Sequence, residues 1–366
     1  MKTKMNARAG VGQINPSPEI SVIFKTLATT AIQRSALGIL CIILKDATQK
    51  EKFVTIKTID DLDAAKWEAK SLSLIKLAMQ TYSPNKIIVR VQGAEEQMIE
   101  CLKDIKNRKI NWLACPTATT EEDTTVVTWV KQMFGTEVIN KTIKYVSAGA
   151  DKSDHVAIIE LANKGTFKSK LGDFTPQEYT VAIAGMLCGL PLNRSADNLI
   201  MSDLTAVEEV EAALGKFSLY NDDGAVRVNM AVNSKTTFDS TWKQDTRFIK
   251  IVEGMCIVCD DIRDTFKNYW QGIYINDYDN KMNFCSNVNK VYFKELQPNV
   301  LNADYDNKIT IDYEAQKKAV VLDGRYDPNE MSELEILKFG TGVDVYLAGD
   351  VMFANTMVNL TLNITM

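Results

Sequence analysis

The sequence predicts an α/β protein: a mainly parallel sheet with flanking helices, then an α+β C-terminal domain, with extended N- and C-terminal strand arms. Three observations carry this. Between residues 37 and 192, short continuous apolar runs alternate with helical stretches, the pattern of a parallel sheet covered on both faces. A long amphipathic stretch at 243–269 then opens a region of different character. Finally, Val358-Asn359-Leu360-Thr361-Leu362-Asn363-Ile364-Thr365 alternates strictly between apolar and polar residues, the period-2 signature of a strand with one buried face.

Taken in order, residues 1–18 are polar and contain Gly10, Gly12, Pro16 and Pro18, and they lead into Ile20-Ser21-Val22-Ile23-Phe24, a short strand. Residues 37–44 and 53–56 read as buried strands. Thr58 with Asp61 marks a capping-box start to a helix with the apolar face Leu62, Ala65, Ala69, Leu72, Ile75 and Met79. Strands at 87–91, 112–114, 143–147 and 156–161 alternate with helices at 95–106 and 121–134. Thr175-Pro176-Gln177-Glu178 supplies an N-cap, Pro at the first helical position and Glu at the third, so a helix opens there and ends near Gly189 and Pro191.

In the second half, Phe248, Ile251, Met255, Val258, Ile262, Phe266 and Tyr269 lie on one stripe of the long helix. Strands are expected at 291–296 and 308–313, then a strand, a Gly349-Asp350 turn and a closing strand within 343–366. A strand at a chain terminus has to find a sheet, because its unpaired backbone groups are an open template. Two strand-bearing ends therefore suggest a protein that lends its termini to neighbours. The expected division is an N-terminal arm at 1–25, an α/β domain at 26–235, a C-terminal α+β domain at 236–350 and an arm strand at 351–366. There is no internal repeat.

Composition excludes several classes. The chain is 46% apolar and 24% charged, with 42 basic against 47 acidic residues and a net charge of −5, so no basic excess points to nucleic acid. The longest apolar run, 37–44, is far too short to span a bilayer. No apolar stretch follows Lys2, Lys4 and Arg8, so no secretory signal is expected. Seven scattered cysteines fit free thiols in a reducing cytoplasm.

An enzyme finds little support. His155 is the single histidine and stands beside Asp154, but no nucleophile or second base accompanies it, and a strand-edge role is the simpler reading. Cys256 and Cys259 have C-x-x-C spacing inside a helical pattern without the other two ligands a zinc site needs. Asp222-Asp223 and Asp260-Asp261 lack metal-site spacing and read as turns and solvated faces. No glycine-rich phosphate loop follows any strand. No catalytic, metal or cofactor-binding residue is assigned. A Rossmann-like nucleotide-binding protein or enzyme with an unrecognised site is the alternative reading.

Four segments together carry a family resemblance. Ala184-Gly185-Met186-Leu187-Cys188-Gly189-Leu190-Pro191-Leu192 resembles the A-G-x-x-A-G-L-P-x run that ends a helix in phage tail sheath proteins, with Cys188 in place of a small Ala. Pro18-Glu19-Ile20-Ser21-Val22-Ile23-Phe24-Lys25 is similar to the P-G-V-Y-I-x-F-K start of that family, with Glu19 in place of Gly. Gly340-Thr341-Gly342, Val345-Tyr346-Leu347 and the stretch 355–362 resemble its closing region, and the long helix with Asp260-Asp261-Ile262-Arg263 its C-terminal domain. The likeness covers most of the chain from residue 18 on.

The resemblance implies a structural subunit of a contractile sheath from a phage, a defective prophage or a phage-tail-like bacteriocin. Such subunits polymerise as a helix around an inner tail tube, between a baseplate and a tail terminator, and drive the tube through a target envelope. The extended tube would be a kinetically held state, released by the baseplate. Assembly in the bacterial cytoplasm is implied, within a virion tail or a released tail-like particle. No cofactor, nucleic-acid partner or direct membrane insertion is. The arms would then exchange strands between subunits through Ile20, Val22 and Phe24 at one end and Val358, Leu360, Leu362 and Ile364 at the other. Glu330, Glu333 and Glu335, interleaved with Leu334, Ile336 and Leu337, read as a short acidic amphipathic helix meeting basic residues of the tube.

Overall fold

A computed structural model describes residues 38–136, 138–297 and 299–364. The N-terminal arm, with Ile20, Val22 and Phe24, lies outside them. The described residues form two compact units, 38–260 with 353–364, and 261–352.

The first unit is organised by a six-stranded sheet in the order β2-β3-β1-β4-β5-β6, formed by β1 (Ile39–Lys45), β2 (Phe53–Ile56), β3 (Lys86–Gln92), β4 (Trp112–Ala114), β5 (Lys144–Ser147) and β6 (Ile158–Glu160). All pairings are parallel except β2 with β3. Because both faces are covered, β1 is apolar from Ile39 to Leu44. Leu40, Ile42 and Leu44 enter one core with α1 (Ala69–Leu77) and α4 (Pro176–Gly189). Cys41 and Ile43 enter the other, with α2 (Met98–Ile105), α3 (Thr120–Phe134) and the first half of α5 (Ile249–Tyr269). Two small antiparallel sheets extend this unit, β8-β7-β9 from β7 (Phe167–Ser169), β8 (Gly172–Phe174) and β9 (Leu204–Ala206), and the hairpin of β10 (Leu219–Asp222) and β11 (Ala225–Val228). The hairpin turn uses Asp223 and Gly224 at φ 44° and 77°, the left-handed pair that such a turn demands.

The Ala-Gly run of α4 has a packing explanation. An added Cβ at Gly185 would lie 2.1 Å from the Ala78 carbonyl oxygen, and one at Gly189 would lie 2.5 Å from that of Ser83. The two glycines thus let α4 lie backbone to backbone on the end of α1 and the loop after it.

The second unit contains the second half of α5, a helical run of α6 (Tyr278–Asn287), a π-helical turn (Val288–Tyr292) and α7 (Phe293–Leu296), then β12 (Lys308–Ile311), α8 (Tyr313–Asp323), α9 (Glu333–Lys338) and β13 (Leu347–Asp350). β12 and β13 pair antiparallel.

Four expectations are corrected. The Thr58–Asp61 cap opens only a 3-10 turn, Ile59–Asp61, and α1 begins at Ala69. Buried Asp46 accepts the Glu68 N–H at 3.0 Å and the Thr48 and Gln49 N–H groups at 2.9 and 2.8 Å, which holds the chain extended at Glu68 (ψ 145°). Residues 291–296 are helical, because the π turn swings Val288, Phe293 and Leu296 together into the core. Gly349 and Asp350 form no turn; they pair with Ile309 and Lys308 inside the β12–β13 ladder. The Asp260-Asp261 pair is not a solvated face. Asp260 accepts from Thr142 Oγ1 at 2.7 Å, and buried Asp261 accepts from the Tyr292 hydroxyl at 3.1 Å.

The boundary between the units also falls at these two residues, inside α5, whereas the compositional shift lies at 233–240. The first half of the helix is pinned to the sheet by buried Lys144, whose Nζ lies 3.2 Å from Oε1 of the partly buried Glu253.

Candidate functional site

In doubly wound sheets ligands bind where the strand order reverses. Here that point lies between β1 and β4, and side chains fill it. Lys45 pairs with Glu122 at 2.8 Å, Gln92 Nε2 donates to Glu122 at 2.8 Å, and Gln177 Nε2 donates to the Cys115 carbonyl at 2.9 Å. Buried Asp123 accepts from the Tyr145 hydroxyl at 2.5 Å and from Ser147. The first turn of α3 carries Glu121, Glu122 and Asp123, which repel the phosphate that a helix N-terminus would otherwise attract. This arrangement disfavours the nucleotide-binding alternative.

His155 and Asp154 are brought together, but as structural groups. The Asp154 carboxylate accepts the Thr236 and Thr237 N–H groups at 2.7 and 2.9 Å, both threonine hydroxyls, and Lys235 at 3.3 Å. Burial opposes its ionisation, yet these bonds prevail and hold its pKa well below the carboxylate range. His155 is buried against Phe134, its Nδ1 accepts the Ala157 N–H at 3.1 Å, and Nε2 lies 3.3 Å from the Gly135 carbonyl, which it meets as a donor in that tautomer. Burial lowers its pKa to about 4, against the opposing pull of the Gly135 carbonyl.

The sign of the resulting pH dependence follows directly. The unfolded state binds a proton near pH 6.5 and the folded state only near 4, so this contribution is full above pH 6.5 and is lost as pH falls toward 4. His155→Gln is expected to remove on the order of 2–3 kcal/mol of acid sensitivity from urea unfolding between pH 7 and 4, at a smaller loss of stability at pH 7. An unchanged slope would refute the assignment. Cys256 is buried and its thiol pushed up by that burial, as an inert core group would be. Among the described residues no cluster of three metal-binding side chains occurs.

Surfaces suited to assembly are better defined. Among the described residues, 354–364 have no strand partner, and Val358, Leu360, Leu362 and Ile364 are exposed, at 39%, 89%, 71% and 76%. Among the described residues their apolar side chains thus enter no core. In the β12–β13 ladder the two edges differ. On β12, Asn289 mimics a strand: its side-chain oxygen accepts the Ile309 N–H and its amide donates to the Ile309 carbonyl, both at 2.8 Å. On β13, Leu347 and Gly349 direct their backbone groups away from β12, and among the described residues no strand pairs with that edge. The loop before β13 is strapped by Asn276 Nδ2, which donates to the Gly342 and Asp344 carbonyls at 2.9 and 2.8 Å.

The acidic residues are only partly as expected. Glu333 and Glu335 lie on α9 and Glu330 precedes it; all three are exposed, while Ile336 is buried. Glu335 is committed to the helix cap, accepting the Ser332 N–H at 2.7 Å and its hydroxyl at 2.6 Å. Sequence reading missed the Asn289 plug and the Asn276 strap, since the first acts across twenty residues and the second across more than sixty.

No protein-family model matches this sequence. The chain is 25% identical over 362 residues to a tail sheath protein of the Clostridium phage phiCD119, covering 95% of this chain and 98% of that one. Its structure is similar to the sheath tail protein from Desulfitobacterium hafniense (TM-score 0.63, 15% identity, 76% of this chain and 90% of the other). It is also similar to the helical sheath of the anti-feeding prophage in its contracted state (TM-score 0.65, 10% identity, 90% and 93%). The fold is that of a sheath tail protein. The resemblance to contractile tail sheath proteins, carried in the sequence by four short segments, holds across nearly the whole chain.

Proposed function

We infer that the chain is a structural subunit of a contractile tail sheath, polymerising as a helix and contracting to drive an inner tube through a target cell envelope. The observation that carries this reading is the end-to-end similarity to a tail sheath protein, joined to the fold shared with a contracted helical sheath. The subunit is part of a phage tail or tail-like particle. It is assembled in the bacterial cytoplasm, its work is mechanical rather than catalytic, and it meets the tail tube, the baseplate and a tail terminator. A repeated heterologous contact that does not close into a ring generates such a helix.

Residues 1–25 and 351–366 act as exchange arms on this reading, attached to the α/β domain and the C-terminal sheath domain between them. Each arm adds a strand to a neighbour's sheet by main-chain pairing, with Ile20, Val22 and Phe24 in one and Val358, Leu360, Leu362 and Ile364 in the other. The β13 edge, unpaired among the described residues, and the exposed apolar side chains at 360, 362 and 364 support this. Negative-stain microscopy of the purified protein tests the reading: hollow tubes or cogwheel fragments are expected, and particles that stay monomeric in every buffer would sink it.

Glu330, Glu333 and Glu335 face the tube in this proposal, through exposed pairs worth only about 0–1 kcal/mol each, weak enough to break during contraction. Reversing all three charges should stop sheaths from assembling on tubes. Glu335→Lys also removes the α9 cap, about 1 kcal/mol, so Glu330→Lys with Glu333→Lys is the cleaner pair. Normal assembly of that double variant on tubes would remove the proposal.

A further inference from the structure

A cavity of about 440 Å³ lies within the 261–352 unit, lined by Phe266, Trp270, Tyr274, Phe284, Val343 and Val345 among others. Its rim is unusually apolar for a surface: Ile275 is 78% and Val343 93% exposed. Trp270 stands edge-on to Phe284 at 5.1 Å and against Tyr274 at 4.5 Å, so the wall is a packed aromatic group. Its polar side is underused. Asn276 Oδ1 is buried and accepts no hydrogen bond among the described residues. Buried Lys281 reaches its oxygen partners, Gln316 and Thr341, only at 3.5 and 3.4 Å, long for charge-assisted bonds.

The position of the cavity selects its occupant. Gly342, Val343 and Val345 line it and immediately precede β13, whose outer edge is unpaired among the described residues. A chain laid along Leu347 and Gly349 therefore runs on past Val345 to the mouth. The same sequence supplies an uncharged extended segment with Leu360, Leu362 and Ile364 on one side and amides at Asn359 and Asn363 on the other. An amide both donates and accepts, which matches Asn276 Oδ1 and the Lys281 ammonium.

We propose that the cavity is a socket for residues 358–364 of a second copy of this chain. The apolar side chains of that segment seat against Trp270 and Phe284, anchoring main-chain pairing that by itself carries no sequence preference. This inference rests on the sheath reading and adds to it a pocket that fixes the register of the exchanged strand.

Trp270 provides the readout, because Trp67, Trp112, Trp129 and Trp242 are buried, at 6%, 1%, 7% and 7% exposure. A synthetic peptide of residues 355–365 added to the full-length, unassembled protein should saturably protect Trp270 from acrylamide quenching, and the same peptide with Glu at position 362 should not. In parallel, Val343→Cys with Leu362→Cys, both at exposed positions, should give on oxidation a reducible ladder of linked subunits that neither single variant gives. Absence of peptide protection overturns the proposal whether or not tubes form. Tubes without a ladder, or an internally closed monomer in place of one, also overturn it while the sheath reading stands. Failure to form tubes in any buffer counts against the sheath reading alone, since the peptide titration still decides the socket.

Discussion

Leu360→Pro should abolish tube formation while leaving the subunit folded. In the isolated chain Leu360 is 89% exposed, and no backbone hydrogen bond of residues 357–364 occurs among the described residues. Proline there disturbs nothing that the monomer uses, so its stability should move by less than about 0.5 kcal/mol. Far-UV circular dichroism should be unchanged. In an exchanged strand the situation reverses. Each ladder bond contributes about 1 kcal/mol net and each buried Leu or Ile roughly 1.5–3 kcal/mol, so one arm stabilises a contact by on the order of 10 kcal/mol before ordering costs. Proline removes a donor and is excluded from the interior of a paired strand. A loss of about 3 kcal/mol per contact raises the concentration needed for assembly more than 100-fold. Full-length sheaths from this variant would refute strand exchange through residues 358–364. A monomer melting many degrees lower would show instead that these residues serve their own subunit.

The expectation of an arm strand rests on a local signal: eight residues alternate without interruption and contain no charge. The parallel sheet is legible for a related reason, since strands buried on both faces must be largely apolar, as 39–44 and 87–89 are. Where sequence reading fails, a distant group has overridden a local preference. Asp46 captures the amide of Glu68 from twenty-two residues away and delays α1 past its apparent cap. Residues 291–296 have strand-like composition, yet a π turn places them in a helical core. Gly349-Asp350 has turn chemistry, but its partner strand lies some forty residues upstream, a pairing that no local pattern reveals. The Asn289 plug and the aromatic cavity are invisible for the same reason, being assembled from segments that meet only in the fold. The place of His155 in the core, between Phe134 and the Gly135 carbonyl, had no sequence signal either.

The second large effect is expected at Gly185, in the Ala-Gly run that closes α4. Alanine is the better helix former, by about 1 kcal/mol, and at an exposed site Gly185→Ala would stabilise the protein. Here the new methyl would sit 2.1 Å from the Ala78 carbonyl oxygen and 2.8 Å from its Cα. Those are backbone atoms at the end of α1, so no side-chain rotation relieves the clash and the two helices must separate. Separation opens the core shared by Leu74, Ile75, Ala182, Ile183 and Met186, and overpacking of this kind costs about 1–3 kcal/mol or more. The clash should exceed the propensity gain, giving a net loss of about 2 kcal/mol or more in urea unfolding. Gly172→Ala is a useful contrast: nothing lies within 4 Å of an added Cβ there, and φ is 123°, so only backbone strain acts. If Gly185→Ala proves neutral or stabilising, α4 and α1 are not in backbone contact, and the Ala-Gly run requires an explanation outside the packing of the subunit.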